Sequence, residues 1–293
     1  MYKIVGRKEI APNIFLMDIE APRVAKSAKP GQFIIVRIDE KGERVPLTIC
    51  DYDIEKGTVT IVFATIGSST NKLAACKEGD YISDFVGPLG QPSEFIHEDL
   101  EELKKQKIVF VAGGVGAAPV YPQVKWLREN GVDVDVIVGG KTKEFLLLID
   151  EMKELGANIY PCTDDGSAGF KGLVTNQLKE LIDGGNKYDV AIAIGPMIMM
   201  KFVAKLTKEY NLKTIVSLNT LMVDATGMCG ACRVTVGDET KFACVDGPEF
   251  DGHLVNFDEA MRRQTLYKSE EGQNLATQEK GAGHTCKCKG GSN

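Results

Sequence analysis

Three cysteines and one aspartate near the C-terminal end have a spacing that suits an iron–sulfur cluster. Four residues separate Asp224 from Cys229, two separate Cys229 from Cys232, and eleven separate Cys232 from Cys244. A [2Fe–2S] cluster needs four anionic donors, and a well-known arrangement places three of them on one tight loop. The spacing therefore predicts a cluster held by these four residues, with aspartate in the place of the first cysteine.

The residues between the cysteines agree with this interpretation. Gly227 and Gly230 give the loop the backbone freedom to turn N–H groups toward sulfide. The same spacing also suits a three-cysteine zinc site that Asp224 or His253 would complete. On spacing alone, the two metals remain alternatives.

The composition restricts the classes of protein to which the chain can belong. It has 293 residues, of which 43% are hydrophobic, and a net charge of −6. This length predicts two or three domains, and the negative charge argues against nucleic acid as a partner. No stretch suits a leader peptide or a membrane span, and the eight cysteines partly cluster at metal-type spacings. We therefore expect a cytoplasmic protein without a membrane partner.

Residues 1–99 have the pattern of a small antiparallel β barrel. Short β-branched runs alternate with Pro-Gly, Lys-Gly and Glu-Gly-Asp turns, which is typical of such barrels. The predicted strands are Ile14–Glu20, Phe33–Ile38, Arg44–Ile49, Thr58–Ala64 and Tyr81–Phe85.

Residues 100–217 change to an alternation of buried strands and helices. This alternation predicts a Rossmann-like α/β domain, with a parallel sheet that has helices on both faces. The predicted strands are Lys107–Ala112, Asp133–Val138, Ala157–Cys162, Asp189–Ile194 and Thr214–Val216. The predicted helices are Val120–Glu129, Glu144–Leu155, Leu173–Leu181 and Met197–Glu209.

Residues 218–268 form a predicted cluster segment, and residues 269–293 form a tail that we expect to be disordered. In the segment, Cys244 comes to the loop through a predicted hairpin, Arg233–Val236 and Lys241–Val245. The tail is rich in Gly, Lys and Gln, which favours disorder. It also contains three residues of metal-binding type, His284, Cys286 and Cys288.

A glycine turn follows the first strand of the α/β domain and opens a helix. Gly114 and Gly116 let the backbone approach a pyrophosphate, and the helix N-terminus offers free N–H donors. Pro119 suits the first helical turn, where its missing N–H costs nothing. The place of the glycines between strand and helix predicts a nucleotide-binding turn rather than a purely structural one.

Other segments lie where a nucleotide would bind to such a sheet. Thr163–Ser167 follow the third strand, and Gly195 and Pro196 follow the fourth, at the carboxyl ends where ligands bind. Ordinary turns would have the same composition. Lys141 and Lys143 follow the second strand, in place of the usual acidic residue. They could accept a 2′-phosphate or be solvated, so NADP(H) remains an alternative to NAD(H).

The barrel contains a second candidate phosphate site. Arg44 lies on a predicted strand with Pro46, Leu47 and Thr48, and Gly67–Thr70 come after the following strand. An arginine fork beside a small polar turn rich in N–H groups suits the pyrophosphate of a flavin. The alternatives are a surface charge at Arg44 and an ordinary turn.

Taken in chain order, these motifs resemble the ferredoxin–NADP reductase superfamily. They are Arg-x-Pro-Leu-Thr, Gly-Pro-Leu-Gly, Gly-Gly-Val-Gly-Ala-Ala-Pro, Asp-Asp-Gly-Ser, Gly-Pro-x-x-Met-Met and the cysteine loop. The series is most similar to the branch that contains the electron-transfer subunit of dihydroorotate dehydrogenase B. The stretches from Cys244 to His253 and from Phe257 to Arg263 are similar to the small subunits of NADH-dependent reduced ferredoxin:NADP oxidoreductase and of sulfide dehydrogenase.

The resemblance implies FAD, NAD(H) and a [2Fe–2S] cluster as cofactors. The residues implied for FAD are Arg44, Pro46, Leu47, Thr48, Ala64, Thr65, Gly67, Ser68, Ser69, Thr70 and Gly87. Those implied for the nicotinamide nucleotide are Gly113, Gly114, Gly116, Thr163, Asp165, Ser167, Gly195 and Pro196, and the implied metal ligands are Asp224, Cys229, Cys232 and Cys244. No catalytic side chain is implied, although Thr48 is expected near the flavin N5.

Three positions depart from the pattern of these relatives. Pro46, Leu47 and Thr48 replace an Arg-x-Tyr-Ser platform, so no tyrosine can stack on the flavin there. Ile194 stands where the wider superfamily often has a cysteine before Gly-Pro, and Asp224 replaces a cysteine in the cluster loop.

The remaining cysteines and histidines give weaker predictions. Cys50, Cys76 and Cys162 are expected to be small buried residues without a redox role. The sequence offers no partner for His97 or His253.

The implied chemistry is hydride transfer from NADH to FAD, followed by the passage of single electrons through the cluster. The implied partner is a larger flavoprotein subunit with FAD and [4Fe–4S] clusters, in a heterodimer that serves ferredoxin indirectly and bifurcates electrons. Delivery of electrons to a dihydroorotate dehydrogenase, or within a sulfide dehydrogenase, is the alternative with the same chemistry. A non-catalytic zinc module on a nucleotide-sensing domain is the alternative of another class.

Overall fold

The structure, a computed structural model, describes residues 1–270 and residue 272. The three tail residues of metal-binding type lie outside the described residues, and so does most of the tail that we expect to be disordered. The described part forms a barrel-like sheet, a largely parallel sheet flanked by helices, and a small hairpin.

The first sheet is antiparallel throughout and forms a nearly closed barrel. Its strands are β1 (Tyr2–Ala11), β2 (Ile14–Glu20), β3 (Phe33–Arg37), β4 (Val45–Asp53), β5 (Thr58–Ala64), β6 (Tyr81–Ile82) and β7 (Asp84–Leu89). They lie side by side in the order β6-β1-β2-β5-β4-β3-β7. Alternate side chains point inward, as Phe15, Met17 and Ile19 do in β2, and fill the barrel.

The barrel departs from the sequence prediction in its details. The first strand, β1, was not predicted, because four of its ten residues are charged and hide the alternating pattern. Arg44 lies in the loop before β4, not on the strand. The predicted turn at residues 67–70 is the start of a helix. The two helices of this region are α1 (Pro22–Ser27) and α2 (Ser68–Ala75).

The second sheet is parallel except at one edge. The remaining strands are β8 (Ile108–Gly113), β9 (Val134–Gly140), β10 (Asn158–Thr163), β11 (Phe170–Lys171), β12 (Val190–Ile194), β13 (Lys213–Ser217), β14 (Arg233–Val236), β15 (Glu239–Phe242) and β16 (Glu249–Asp251). The sheet has the order β11-β10-β9-β8-β12-β13-β16, in which only β16 is antiparallel to its neighbour, and β14 pairs with β15 in the hairpin. The predicted α/β domain with a parallel sheet is therefore confirmed.

Helices cover both faces of the second sheet. They are α3 (Leu100–Leu103), α4 (Ala117–Glu129), α5 (Ile149–Glu154), α6 (Val174–Asp183), α7 (Met197–Glu209) and α8 (Phe257–Arg263). The helices α4 and α5 pack into one apolar core, and α6, α7 and α8 pack into another. In the part of the chain that the structure describes, no helix has the length and apolar character needed to cross a bilayer.

Beside the second sheet, one predicted helix is broken, and the strands β11 and β16 of that sheet were not predicted. The predicted helix Glu144–Leu155 is a short 3₁₀ turn at Lys143–Phe145 followed by α5, because Leu148 adopts a left-handed φ of 56°. The strand β16 joins the edge of the second sheet beside β13, with Ser217 opposite Glu249. The pairing of β16 with β13 thus joins the cluster segment to the α/β domain.

Candidate functional site

A cleft of about 600 Å³ opens where the barrel, the α/β domain and the start of the cluster segment meet. It lies at the carboxyl ends of β8 and β12, the edge where parallel sheets bind ligands. The residues predicted for FAD or the nucleotide that line it are Pro46, Leu47, Thr48, Ala64, Thr70, Gly113, Gly114, Gly116, Gly195 and Pro196. Those that do not line it are Arg44, Thr65, Gly67, Ser68, Ser69, Gly87, Thr163, Asp165 and Ser167.

The loop before β4 and the start of α2 lie beside this cleft. Ser69 Oγ donates a hydrogen bond of 2.5 Å to Glu43, the neighbour of Arg44. Thr70 Oγ1 accepts the N–H groups of Ile66 and Gly67, each at 3.0 Å, and so fixes the entry to the helix. An exposed arginine next to a helix N-terminus fits the pyrophosphate of FAD.

The glycine turn between β8 and α4 depends on close packing of backbone. A Cβ at Gly116 would lie 2.1 Å from the carbonyl oxygen of Ile194, and one at Gly113 would lie 2.4 Å from Met199 Sδ. Gly114 differs, because its φ is +55° and a Cβ there would meet nothing within 4 Å. Gly114 is therefore the glycine with room for a nucleotide phosphate, whereas Gly116 is required by the protein itself.

The loop after β10 is ordered by its own polar residues. Asp165 Oδ1 accepts hydrogen bonds from the N–H and the hydroxyl of Ser167, at 2.9 and 2.7 Å, which lower the pKa of Asp165. Ser167 Oγ in turn accepts the N–H of Lys143 at 2.8 Å, and this joins the loops that follow β9 and β10. Lys141 and Lys143 are exposed and form no ion pair with any described residue.

Sequence reasoning missed one side of the cleft, which is lined by Ser217, Leu218, Asn219, Thr220, Met222 and Pro248. Thr220 is 8% exposed, and its hydroxyl is buried without a hydrogen-bond partner among the described residues. A buried polar group without a partner is costly, so a ligand group in the cleft would satisfy it. Only the folding of the chain brings this loop beside β4, so no local pattern could have revealed it.

Two of the three predicted cysteine ligands are in contact. The thiols of Cys232 and Cys244 are buried and share a hydrogen bond, and burial followed by this contact raises the pKa of Cys244. Cys229 is exposed, and its charge makes a smaller contribution that also raises the pKa of Cys244. The N–H of Gly227 donates a hydrogen bond to the Cys244 sulfur, which lowers that pKa. Two thiols on a glycine-rich loop, with a third brought beside them by the hairpin of β14 and β15, are the donor chemistry that an iron–sulfur cluster requires.

Asp224 is not gathered with the thiols. Its carboxylate accepts hydrogen bonds from the Thr226 hydroxyl and from loop N–H groups, and together with the smaller effect of Arg44 these lower its pKa. Within residues 1–270 and residue 272, no three His, Cys, Asp or Glu side chains are placed to hold a metal ion together. The role of Asp224 as the fourth ligand therefore stays a prediction.

The other candidate residues have structural roles. His253 Nε2 lies 3.0 Å from Thr207 Oγ1, so this histidine has a partner that the sequence did not reveal. Cys50, Cys76 and Cys162 are buried, as expected. Burial raises the pKa of the Cys162 thiol to about 11, and its Sγ lies 2.9 Å from the carbonyl of Gly172.

Comparisons with known proteins match both the nucleotide domain and the cluster segment. The iron–sulfur cluster binding domain of dihydroorotate dehydrogenase B matches residues 219–256, and the oxidoreductase NAD-binding domain matches residues 110–205. An uncharacterized protein of Clostridium beijerinckii is 66% identical over 99% of each chain. A homolog of the electron transfer subunit of dihydroorotate dehydrogenase B (NAD(+)) from Thermotoga maritima is 45% identical over 92% of each chain.

Solved structures show the same fold. The structure of an NADH-dependent reduced ferredoxin-NADP oxidoreductase, determined for insights into flavin-based electron bifurcation, has a chain that is 43% identical with a TM-score of 0.87. The match covers 94% of this chain and 97% of that one. A ferredoxin NADP+ reductase from Neisseria gonorrhoeae with bound FAD and NADP is 19% identical, with a TM-score of 0.55 over 71% of this chain and 89% of that one, and shows the fold alone.

The fold, the cleft, the thiol loop and these relatives agree on the cofactors. They are FAD, an iron–sulfur cluster and NAD(H). The match to an iron–sulfur cluster binding domain decides for iron–sulfur over the zinc alternative. The chain is an oxidoreductase subunit that belongs to the family of dihydroorotate dehydrogenase B electron-transfer subunits and their homologues, with a ferredoxin-NADP reductase-like fold.

Proposed function

We propose that this chain takes hydride from NADH and passes single electrons to a larger flavoprotein subunit, within an electron-bifurcating ferredoxin:NADP oxidoreductase. When bound, FAD supplies the conversion of a hydride into single electrons, and a [2Fe–2S] cluster supplies the one-electron exit. The residues of the chain bind and orient these groups, and no acid or base side chain is required.

The observation that supports this proposal best is the composition of the cleft walls. Thr48 comes from the barrel, Gly114 from the nucleotide turn, and Thr220 and Met222 from the segment that leads into the cysteine loop. A ring system held in this cleft would touch the nucleotide module on one side and the approach to the thiols on another. Such an arrangement suits transfer from a nicotinamide through a flavin toward a cluster.

The proposed site residues follow from the same arrangement. Arg44 and the start of α2 would bind the FAD pyrophosphate, and Thr48 would lie beside the flavin ring. Gly114, with the loops after β10 and β12, would bind NAD(H). Cys229, Cys232 and Cys244 would ligate iron through sulfur and Asp224 through oxygen, with the loop closing around the cluster. We place the module boundaries after residues 99, 217 and 268.

The relatives suggest candidates for the partner. One solved chain that is 43% identical comes from an NADH-dependent reduced ferredoxin-NADP oxidoreductase associated with flavin-based electron bifurcation, which favours a flavoprotein partner. The family resemblance implies that this partner carries FAD and [4Fe–4S] clusters. Several relatives carry the name electron transfer subunit of dihydroorotate dehydrogenase B, which favours a dihydroorotate dehydrogenase as the second candidate. A sulfide dehydrogenase partner is a third candidate with the same subunit chemistry.

Purification of the tagged chain from its native cell distinguishes these candidates. We expect a heterodimer whose second subunit carries FAD and [4Fe–4S] clusters, and which reduces NADP⁺ only when NADH and reduced ferredoxin are both present as donors. A dihydroorotate dehydrogenase in the eluate would replace the proposal with the second candidate. A colourless chain that binds zinc and no flavin would contradict both.

A further inference from the structure

The last residue of α8 contacts the backbone of the cysteine loop. Arg263 Nη2 donates hydrogen bonds to the carbonyl oxygens of Gly230, at 3.2 Å, and of Ala231, at 3.1 Å. These two residues are the ones that separate Cys229 from Cys232. A guanidinium group thus binds the peptide units that join two cluster ligands.

The position of Arg263 is fixed by the packing of its helix. Phe257 and Ala260 of α8 are buried, and the side chain of Asn256 caps the helix by accepting the N–H of Glu259 at 3.1 Å. Glu259 in turn accepts the N–H of Thr235 on the hairpin at 3.3 Å. The helix is therefore anchored to the hairpin that leads to Cys244, and this keeps the guanidinium against the loop.

The two hydrogen bonds also set the direction of two N–H groups. In a planar trans peptide the N–H points opposite to the C=O. Since the carbonyls of Gly230 and Ala231 point to Arg263, the N–H groups of Ala231 and Cys232 point to the other side of the loop. Among the described residues, neither N–H donates to any acceptor. Two free donors therefore lie next to the cysteines.

The charge of Arg263 is not neutralised by an ion pair. No carboxylate of the described part lies within salt-bridge distance of it. Its Nε is buried and has no hydrogen-bond partner among the described residues. Arg262, the preceding residue, is exposed and touches none of these loop carbonyls. Of the two arginines at the end of α8, Arg263 is therefore the one that places its charge against the loop carbonyls.

We propose that Arg263 is a positioning residue that raises the reduction potential of the iron–sulfur cluster. It does so by turning the N–H groups of Ala231 and Cys232 away from itself, where they can donate to cluster sulfur, and by placing a positive charge behind the loop. Hydrogen bonds to the sulfurs and local charge are established determinants of cluster potentials. The proposal rests on Cys229 and Cys232 as ligands and is independent of the identity of the partner subunit.

The test compares three variants of the full chain, purified with its FAD and cluster: Arg263→Gln, Arg263→Lys and, as the matched control, Arg262→Gln. Iron content, EPR g-values and the midpoint potentials of cluster and FAD are measured for each. Arg263→Gln should lower the equilibrium constant for one-electron reduction of the cluster at least tenfold, which is a decrease of about 59 mV in its midpoint potential. Arg263→Lys, which keeps the charge but loses the planar fork, should give a smaller decrease. The FAD potential and the control should match the wild type.

The outcomes separate an electronic role from a structural one. An unchanged cluster potential in Arg263→Gln with full iron content would overturn the proposal. If Arg263→Gln loses iron, its cluster potential cannot be compared, and the Arg263→Lys variant takes its place in the test. A lowered cluster potential with altered g-values in Arg263→Lys supports the proposal, whereas wild-type values in that variant leave Arg263 as a structural anchor only. If the wild-type partner proves to be a different enzyme, these measurements stand, since they concern the cluster of this chain alone.

Discussion

At the scale of single residues, Glu249 occupies the junction of the three parts of the molecule. Its Oε1 accepts hydrogen bonds from Ser93 Oγ at 3.0 Å, beyond the last barrel strand, and from Gln123 Nε2 at 2.8 Å, on α4. Glu249 itself begins β16. Burial raises the pKa of this carboxyl to about 7, although the two donors act in the opposite direction. Near neutral pH the junction therefore holds a carboxyl group that is partly protonated.

This pKa predicts how stability depends on pH. Between pH 4.5 and about pH 7, Glu249 is ionised in the unfolded chain but protonated in the folded one. The free energy of unfolding therefore falls as the pH rises through this range, and it levels off above pH 7. Glu249→Gln removes this loss, and its stability relative to wild type should rise by up to about 3 kcal/mol from pH 4.5 to 8. Urea unfolding at a series of pH values measures the difference.

The matched control for this measurement is Glu20→Gln, because Glu20 is exposed on β2. This variant shows how far the loss of one surface carboxyl alone changes the stability at each pH. A Glu249→Gln difference that varies with pH no more than that of Glu20→Gln would show that the carboxyl does not titrate as its burial requires.

The sequence predicted those site residues whose chemistry is local. The cysteine spacing and the glycines between strand and helix are patterns within a few residues, and the cofactors inferred from them are confirmed by the family matches. Thr220, Glu249 and Arg263 could not be predicted, because each gains its role from residues that are distant in sequence. Ser93 and Glu249, for example, are 156 positions apart.

At the scale of elements, two turns of the α/β domain interlock through glycines. A Cβ on Gly116 would overlap the carbonyl of Ile194, and one on Gly195 would lie 3.1 Å from the backbone of Gly113. The turns after β8 and β12 can therefore touch only while these positions lack side chains. This contact sets the floor of the cleft.

The interlock predicts that Gly116→Ala destabilises the fold. The backbone of Gly116 has a φ of −59°, which alanine adopts freely, so the effect comes from overpacking alone and should be about 1–3 kcal/mol. We also expect weaker binding of NADH, since the turns that form the floor must separate. Chemical denaturation and NADH titration of the same preparation measure both effects.

Gly67→Ala provides the contrast for this substitution. Gly67 has an extended backbone, and a Cβ there would meet no atom within 4 Å. Its stability should lie within about 0.5 kcal/mol of wild type. Equal stabilities for the two variants would mean that the turns do not interlock as the structure indicates.

The elements themselves were predicted where burial controls the sequence. The central strands of the second sheet, β8, β9 and β12, are apolar runs that are buried on both faces. All five predicted strands are present with shifts of one or two residues. The exceptions are short or exposed. The three-residue edge strand β16 carries no periodic pattern, and the helix predicted over 144–155 is interrupted by the left-handed Leu148.

At the scale of the whole molecule, the cluster segment is an integral part of the cleft. Its buried residues Met222 and Ala225 pack against Phe33 and Ile35 of β3 in one apolar core. The N–H of Leu218 donates to the carbonyl of Pro248 at 2.9 Å, and further hydrogen bonds connect Gln91 to the segment. The side of the cleft that the segment provides is thus held by packing and backbone hydrogen bonds, with Cys232 and Cys244 inside the same core and Cys229 outside it.

It follows that FAD should remain bound after the iron is removed. Of the three cysteines proposed as ligands, Cys229 is the exposed one, so Cys229→Ser should abolish the cluster while costing little packing. The walls that contact the flavin depend on the apolar core and the backbone hydrogen bonds, which this variant leaves intact. The flavin content per chain after gel filtration should therefore equal that of wild type, with iron near zero and NADH still able to bleach the flavin. Loss of FAD in proportion to iron, in this variant and in chelator-treated wild type alike, would show instead that the cluster itself holds the cleft together.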